Sequence, residues 1–521
     1  MNTASRMEST GTPGRIQVSN DTAELIRKAG KSIWLVPRED KVSVKGKGEM
    51  QTHFVQIGAA TIRTTSSIGT TASGGRVYHT NDLNLMNTLS PMLDPEEQSA
   101  KKSRIEGWIV ELMCSSLKEI SANRLNNRIK FDASKTMDAV EKLTNKQGSR
   151  CGGDETLKTT SCPFDEVTEI ITLPDYTDPS SHNRTAGTTT ADDVVLSEDV
   201  VNELRDYIHT IALLYNSNAF HNFEHANHVV MSVSKLLSRI VTASPFAEAW
   251  SHESEDGHID HTYGIITGDP LTRFAVVFSA LIHDAGHEGV PNATLVKEQA
   301  DVAVLYDNVS VAEQNSVELA WGLLMEPSYK NLRRQIYCNV SEYKRFRQLV
   351  VNAVMATDII DKQLKELRNN RWDVAFNKSN KSNSADDDNR KATIVIEHII
   401  QASDVAHTMQ HWHIYRKWNE KFFVESYKAY LDGRAEKDPS VGWYEGEIGF
   451  FDFYIIPLAK KLKECGVFGV SSEEYLNYAI QNRTEWSTRG QYITENMVMK
   501  VRQHYNKEDG SSTAAVTNAT P

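Results

Sequence analysis

Over much of the chain's second half, apolar residues fall three and four positions apart, the spacing of a helix face. Phe274, Val277, Phe278 and Leu281 stand at i, i+3, i+4 and i+7. They predict a buried helix that brings His283 and Asp284 near its end, before Gly286, Gly289 and Pro291 stop it. Phe346, Leu349, Val350, Ala353 and Val354 predict a second such helix. Ile394, Val395, His398, Ile399 and Ala402 predict a third, which ends at Asp404. Ser197, followed by Glu198 and Asp199, reads as the cap of the first helix in this block, and the helical pattern continues to about residue 505. Upstream, Ile105, Trp108, Ile109, Leu112, Met113 and Leu117 predict one more amphipathic helix.

The front of the chain is patterned differently. Gly14–Ser19 reads as a strand, and Thr22–Ala29 as a helix capped by Ser19 or Asn20 and stopped by Gly30. Ser32–Val36 and Val42–Val44 read as further strands, and Lys45–Phe54 as a turn feeding another. The expected fold class is mainly α: a compact all-helical domain over residues 196–505, behind a small, incomplete α/β fragment at residues 1–56. Between them, residues 57–100 are Thr-, Ser- and Gly-rich and read as a linker, and residues 101–195 as a connecting region of one helix and loops. Lys378–Arg390 reads as a solvated loop, and residues 506–521 as a disordered tail.

Composition narrows the partners. With 40% hydrophobic and 24% charged residues, the 521-residue chain can bury a large core. A net charge of -12 argues against nonspecific binding to nucleic acid or an anionic membrane. An anionic small substrate would then need local positive charge, which a bound metal pair can supply. The five cysteines, Cys114, Cys151, Cys162, Cys338 and Cys465, form no C-x-x-C pair, which fits a reduced, cytoplasmic setting. No run of about 18 apolar residues is present, and the N-terminus has no apolar signal region.

The chemistry gathers on three segments. Phe220–Ala226 carries His221 and His225, which would share a helical face; His283–Gly289 carries His283, Asp284 and His287; Asp404 stands far downstream. Imidazoles mixed with carboxylates suit a divalent hydrolytic metal centre rather than a Cys-rich structural zinc site. The order H-x-x-x-H, H-D, D is that of helical metal phosphohydrolases.

From Ser197 to Gln503 the chain resembles the catalytic domain of class I 3',5'-cyclic nucleotide phosphodiesterases. The resemblance rests on the run His221–Ala226, His283–Gly289 followed by Asn292, and Ser310–Glu313. It continues through Ala356–Asp358, Ser403–Val405, Trp418 with Phe422 and Phe423, and Glu447–Asp452 before Pro457 and Leu458. It implies two divalent ions: zinc at a tight site of His225, His283, Asp284 and Asp404, and Mg2+ or Mn2+ at a second site whose waters His287 and Glu313 hold. It implies His221 as the general acid, and Glu447, Phe450 and His407 as the residues that meet the base of a cAMP or cGMP substrate.

Three positions depart from the family pattern. Glu447 stands where a Gln is usual; a carboxylate only accepts hydrogen bonds, and so would favour guanine. Gln314–Ser316 replaces a run that includes two histidines, and His407 leaves base recognition open. Asn2–Gly11 and Val44–Gly48 resemble the C-terminal end of a class III nucleotide cyclase domain, with Asn2, Arg6 and Lys45 at its functional positions. The cyclase's metal aspartates would lie upstream, so no cyclase activity is expected from this chain alone. Met1 reads as an internal start of a longer gene, as in cyclase–phosphodiesterase fusions of protists, with room for a membrane-bound cyclase portion and for a homodimer. Two rival readings remain: an HD-type phosphohydrolase of other specificity, and a non-catalytic nucleotide-binding regulatory module.

Overall fold

The computed structural model describes residues 16–28, 35–38, 42–44, 48–55, 95–126, 163–173, 189–240, 269–377, 385–468 and 472–516. Asn2, Arg6, Lys45, Cys151 and Cys162 lie outside the described residues. The chain forms two compact units, Met1–Asn87 and Thr88–Pro521.

The first unit is a small α/β piece. Strand β1 (Ile16–Ser19) leads into helix α1 (Asn20–Lys28), and the Ser19 hydroxyl accepts from the Thr22 N–H at 3.3 Å. Strands β2 (Leu35–Pro37), β3 (Val42–Val44), β4 (Gly48–Met50) and β5 (Thr52–Val55) follow. β5 pairs antiparallel with β1 and β2, and β3 with β4.

Every regular element among the described residues of the second unit is a helix. Helix α2 (Pro95–Asn126) begins inside the stretch expected to be a linker and is no mere connection. Its face of Ile109, Val110, Met113, Leu117 and Ile120 is part of the unit's main core. Lys101 pairs with Glu224 at 3.0 Å, and Arg124 donates to the carbonyls of Gln335 and Ile336 at 2.8 and 2.7 Å. An amphipathic stripe needs a surface to cover, and this one covers the helices that follow.

Those helices are α3 (Glu198–Leu214), α4 (Phe223–Arg239) and α5 (Pro270–Ile282). Next come α6 (Asn292–Lys297), α7 (Asp301–Leu305), α8 (Val311–Met325), α9 (Lys330–Ile336) and α10 (Val340–Met355). Then come α11 (Lys362–Trp372), α12 (Ala385–Asp404), α13 (Trp412–Leu431), α14 (Trp443–Phe450), α15 (Ile456–Glu464) and α16 (Ser472–Val516). α5 is the centre. From Leu271 to Ile282 every side chain except Arg273 is buried, against α2, α4, α10 and α12. Asp269 caps it by accepting from Thr272 N–H at 3.2 Å, and Pro270 supplies the first turn.

Two loop expectations are corrected. α12 starts at Ala385, so the end of the expected Lys378–Arg390 loop is helical. α16 runs on to Val516, past the expected start of the tail, because each added turn of an established helix gains one hydrogen bond per residue. Among the described residues no helix is long and apolar enough to cross a membrane.

Residues 163–173 lie within the region expected to be loop, yet they form a strap bound to three helices. The backbone N–H groups of Phe164, Thr168, Ile171 and Leu173 donate to Gln314, Asn352, Thr393 and Asn389 at 3.2, 3.2, 2.9 and 3.0 Å. A buried segment without a ladder must find such partners for its N–H groups. Ile171 is fully buried, and Arg347 holds Glu166 with two bonds of 2.7 and 3.1 Å.

Candidate metal centre

Three helix ends build the site. Asn222 caps α4 by accepting from the N–H groups of Glu224 and His225 at 2.9 and 3.1 Å. His225 therefore sits, fully buried, in the first turn. His221 precedes the cap, so the two histidines do not share a helical face as their spacing suggested. Their ring centroids are 6.0 Å apart. His283 caps the C-terminus of α5, and Asp284 follows it. Gly286 then turns the chain at φ +79°, where a Cβ would come within 2.7 Å of Leu319. Asp404 is the last residue of α12.

One ligand atom from each of His225, His283, Asp284 and Asp404 lies within 4.8 Å of the others. Nε2 of His225 is 3.0 Å from Asp404 Oδ1 and 3.5 Å from Asp284 Oδ2. Nε2 of His283 is 3.1 Å from Asp284 Oδ2 and 3.4 Å from Asp404 Oδ1. A tetrahedral ion with bonds of ~2.0–2.1 Å spaces its ligand atoms by ~3.3–3.4 Å, so the four fit one cation. His283 Nδ1–H donates to the Ala280 carbonyl at 3.0 Å, so Nε2 is the atom turned to the carboxylates. Burial opposes a charge on this ring, but Asp284 and Asp404 outweigh it and raise its pKa well above the usual value, so a cation would take the place of the Nε2 proton. That Nε2 is buried beside two carboxylates without a well-formed hydrogen bond to either. Burial opposes charge on both aspartates, but the facing imidazoles outweigh it. His283 foremost for Asp284, and His225 with His283 for Asp404, hold the carboxyls well below the usual range. The donor set thus suits a cation.

A second group, His221, His287 and Glu425, adjoins the first. The His221 and His287 rings stack with centroids 3.9 Å apart. Glu425 receives Nδ1–H of His221 and also the backbone N–H groups of Phe220 and His221, at 2.7 and 2.9 Å. Burial opposes a charge on His221, but the bond to Glu425 and the charges of Asp284 and Asp404 outweigh it, so its pKa is raised. His287 is pushed down to about 4 by burial and the adjacent His221, and its Nδ1 accepts from Gly289 N–H at 3.0 Å. Glu313 stands apart from both groups. Asn292 donates to it at 2.9 Å, and burial with the charge of Asp358 lifts it to about 8.

Glu425 is missing from the sequence reading. It falls at i+7 from Trp418 and i+3 from Phe422, a carboxylate on the aromatic stripe of α13. That misplaced polarity was the available signal.

The base-site candidates lie on two further elements. Glu447, on α14, is 9% exposed, accepts from the Tyr415 hydroxyl at 2.7 Å and bonds Asn419; burial lifts it to about 7. Phe450, partly buried, lies three residues on and stacks on Tyr454 with centroids 5.4 Å apart. His407 is buried, with its ring edge-on to Phe220 at 5.5 Å. Burial and the neighbouring imidazoles of His228 and His225 keep it neutral.

Residues 220–468 match the 3'5'-cyclic nucleotide phosphodiesterase family, and residues 1–57 match the adenylate and guanylate cyclase catalytic domain. A probable 3',5'-cyclic-AMP phosphodiesterase of Caenorhabditis elegans is 25% identical over 258 residues, covering 47% of this chain and 34% of that protein. The cGMP-inhibited 3',5'-cyclic phosphodiesterase 3A of Rattus norvegicus is 31% identical over 182 residues, covering 30% of this chain and 16% of that protein. The chain thus spans only about a third or less of these relatives' length. The phosphodiesterase domain of a RhoPDE fusion protein from Salpingoeca rosetta is 19% identical with a TM-score of 0.45, covering 58% of this chain and 86% of that one.

Proposed function

We propose, from the premise that residues 220–468 are a cyclic nucleotide phosphodiesterase domain, that the chain hydrolyses cAMP, cGMP or both to 5'-monophosphates. The observation that carries this reading is the meeting of His225, His283, Asp284 and Asp404 from three segments, with His221, held by Glu425, beside them.

His225, His283, Asp284 and Asp404 would hold a zinc ion, and Asp284 would share a second, Mg2+ or Mn2+, whose waters His287 and Glu313 would hold. Such ions acidify a water and neutralise charge on the phosphoryl oxygens. The chain's own residues do the rest. Glu425 fixes the His221 ring and favours its imidazolium, so that the ring meets the leaving O3' as a proton donor. A water oxygen adds at phosphorus, forming a new P–O bond as the P–O3' bond breaks; the water gives up a proton to solvent, and the proton from His221 makes O3' a neutral alcohol. Phe450 would stack on the purine, with Glu447 and His407 at its edge. An ionised Glu447 offers only acceptors, which suits the N1–H and N2–H2 donors of guanine, so cGMP is the better substrate on this reading. A cytoplasmic setting accords with the free thiols of Cys114, Cys338 and Cys465.

The test is His221→Ala assayed on two substrates. With a cyclic nucleotide, whose leaving alcohol needs a proton, the rate should fall by ~10²–10⁴. With a phosphodiester whose leaving group needs none, it should fall little. An equal loss on both would contradict the assigned role.

A further inference from the structure

We propose that the strap at residues 163–173, acting through Gln314 and helix α8, sets the position of Glu313 and so tunes how tightly the second cation is held. This rests on the phosphodiesterase reading and deepens it.

Gln314, Glu318 and Trp321 stand at i, i+4 and i+7 on α8 and share one face of it. That face meets the strap and α10. Gln314 is fully buried, and its Oε1 accepts from the Phe164 N–H at 3.2 Å. Arg347 of α10 donates to Glu166 of the strap at 2.7 and 3.1 Å, and to Glu318 at 2.9 Å. Its guanidinium lies over the Trp321 ring, 4.7 Å from the centroid. Arg347 is buried, so strap and helix cannot slide apart without leaving a buried charge short of its partners.

Glu313 is the residue before Gln314, about 100° away around the helix. It turns to the segment after Gly289, where Asn292 donates to its carboxylate at 2.9 Å and accepts from the Ala312 N–H at 2.9 Å. A helix tied by its backbone hydrogen bonds moves as one body, so a shift at the strap face displaces Glu313 as well. A carboxylate that holds a metal-bound water must stand ~2.5–3.0 Å from it, and a displacement of about 1 Å breaks that link.

The first turn of α8 needs this support because its entry is strained. Asp307, Asn308 and Ser310 have φ of +52°, +64° and +38°. Residues other than glycine hold such left-handed backbone only where their surroundings impose it. The Ser310 side chain does not cap the helix, and its hydroxyl donates to Asp358 at 2.6 Å instead. Gln314 fastens the entry by donating from Nε2 to the Val309 carbonyl at 2.7 Å. One buried amide thus joins the strained entry, the strap and the turn that carries Glu313. The four residues of the tight site lie elsewhere, on α4, at the end of α5 and at the end of α12. Loosening the strap should therefore weaken the second cation and spare the first. Gln314 and Glu166 are positioning residues, which reach the cation only through Glu313.

The experiment titrates Mn2+ into the full chain with its tight ion in place, and reads unbound Mn2+ by electron paramagnetic resonance. It compares the wild type with Gln314→Leu, Glu166→Gln and Thr393→Val. Glu166→Gln loosens the strap from its partly exposed side and leaves α8 intact, so it decides the question if Gln314→Leu does not fold. Thr393→Val removes the bond that the Ile171 N–H makes at the strap's other end, away from α8. The Mn2+ Kd should rise about tenfold in Gln314→Leu and several-fold in Glu166→Gln, and stay at the wild-type value in Thr393→Val. Tight-ion content should be unchanged in all three, and saturating Mn2+ should restore kcat in the two strap variants. A merely structural lesion would lower tight-ion content and kcat together. The proposal is overturned by a wild type that binds no Mn2+, by an unchanged Kd in Gln314→Leu and Glu166→Gln, or by an equal rise in Thr393→Val. A wild type that holds both ions and hydrolyses neither nucleotide would instead overturn the phosphodiesterase reading beneath it.

Discussion

Glu425 and His221 lie 204 residues apart, yet the Glu425 carboxylate takes the His221 ring N–H and the two backbone N–H groups that lead into it. One acid on α13 thus fixes both the loop before α4 and the orientation of its imidazole. Glu425→Gln keeps the shape but removes the charge that raises the His221 pKa. Turnover should fall by up to the ~10²–10⁴ that a general acid supplies, and the alkaline limb of the pH–rate profile should move to lower pH. A pH profile unchanged from wild type would mean that Glu425 does not tune the acid.

Glu447 should show its buried state in stability. Its pKa is about 7 in the folded chain against an ordinary 4.5. Below pH ~4.5 both folded and unfolded forms are protonated and nothing is lost. As pH rises to about 7 the folded form resists ionisation, and the loss is complete above that. Glu447→Gln should therefore raise Tm at pH 8, by roughly 3 kcal/mol of stability, and change it little at pH 4.5. A Tm difference independent of pH would contradict the assignment. In the wild type, cGMP preference should grow as pH rises through about 7, which competition assays at pH 6 and pH 8 would read.

The strap at residues 163–173 should matter although it lies outside the family match. It joins α8, which carries Glu313, to α10 and to α12, which ends at Asp404. Ile171 is fully buried, so Ile171→Ala should cost about 2–5 kcal/mol, read by thermal or urea unfolding. A loss below about 0.5 kcal/mol would show that the strap is not part of the packed unit.

What the sequence made legible follows a physical line. The helices around Phe274, Phe346 and Ile394 were readable because burial imposes a period on each of them alone. His225, His283, Asp284 and Asp404 were readable because their spacing and order are distinctive, and the structure brings all four together. The Glu425–His221 pair was not readable, since nothing local links residues so far apart. The strap was not readable because its N–H groups are met by side chains of distant helices, which impose no period on it. The position of His221 outside α4 was missed because spacing alone does not reveal that Asn222 caps the helix.

On the proposed reading, a cation held by these four residues serves hydrolysis of a cyclic nucleotide. The most direct measurement pairs metal content with product analysis for the wild-type chain and Asp404→Ala. The wild type should hold about one tightly bound zinc-like ion and, with added Mg2+ or Mn2+, convert cGMP or cAMP to the 5'-monophosphate. Asp404→Ala should lose the tight ion and the turnover together. A variant that keeps near-normal turnover, or a metal-replete wild type that makes no 5'-monophosphate from either nucleotide, would contradict the account.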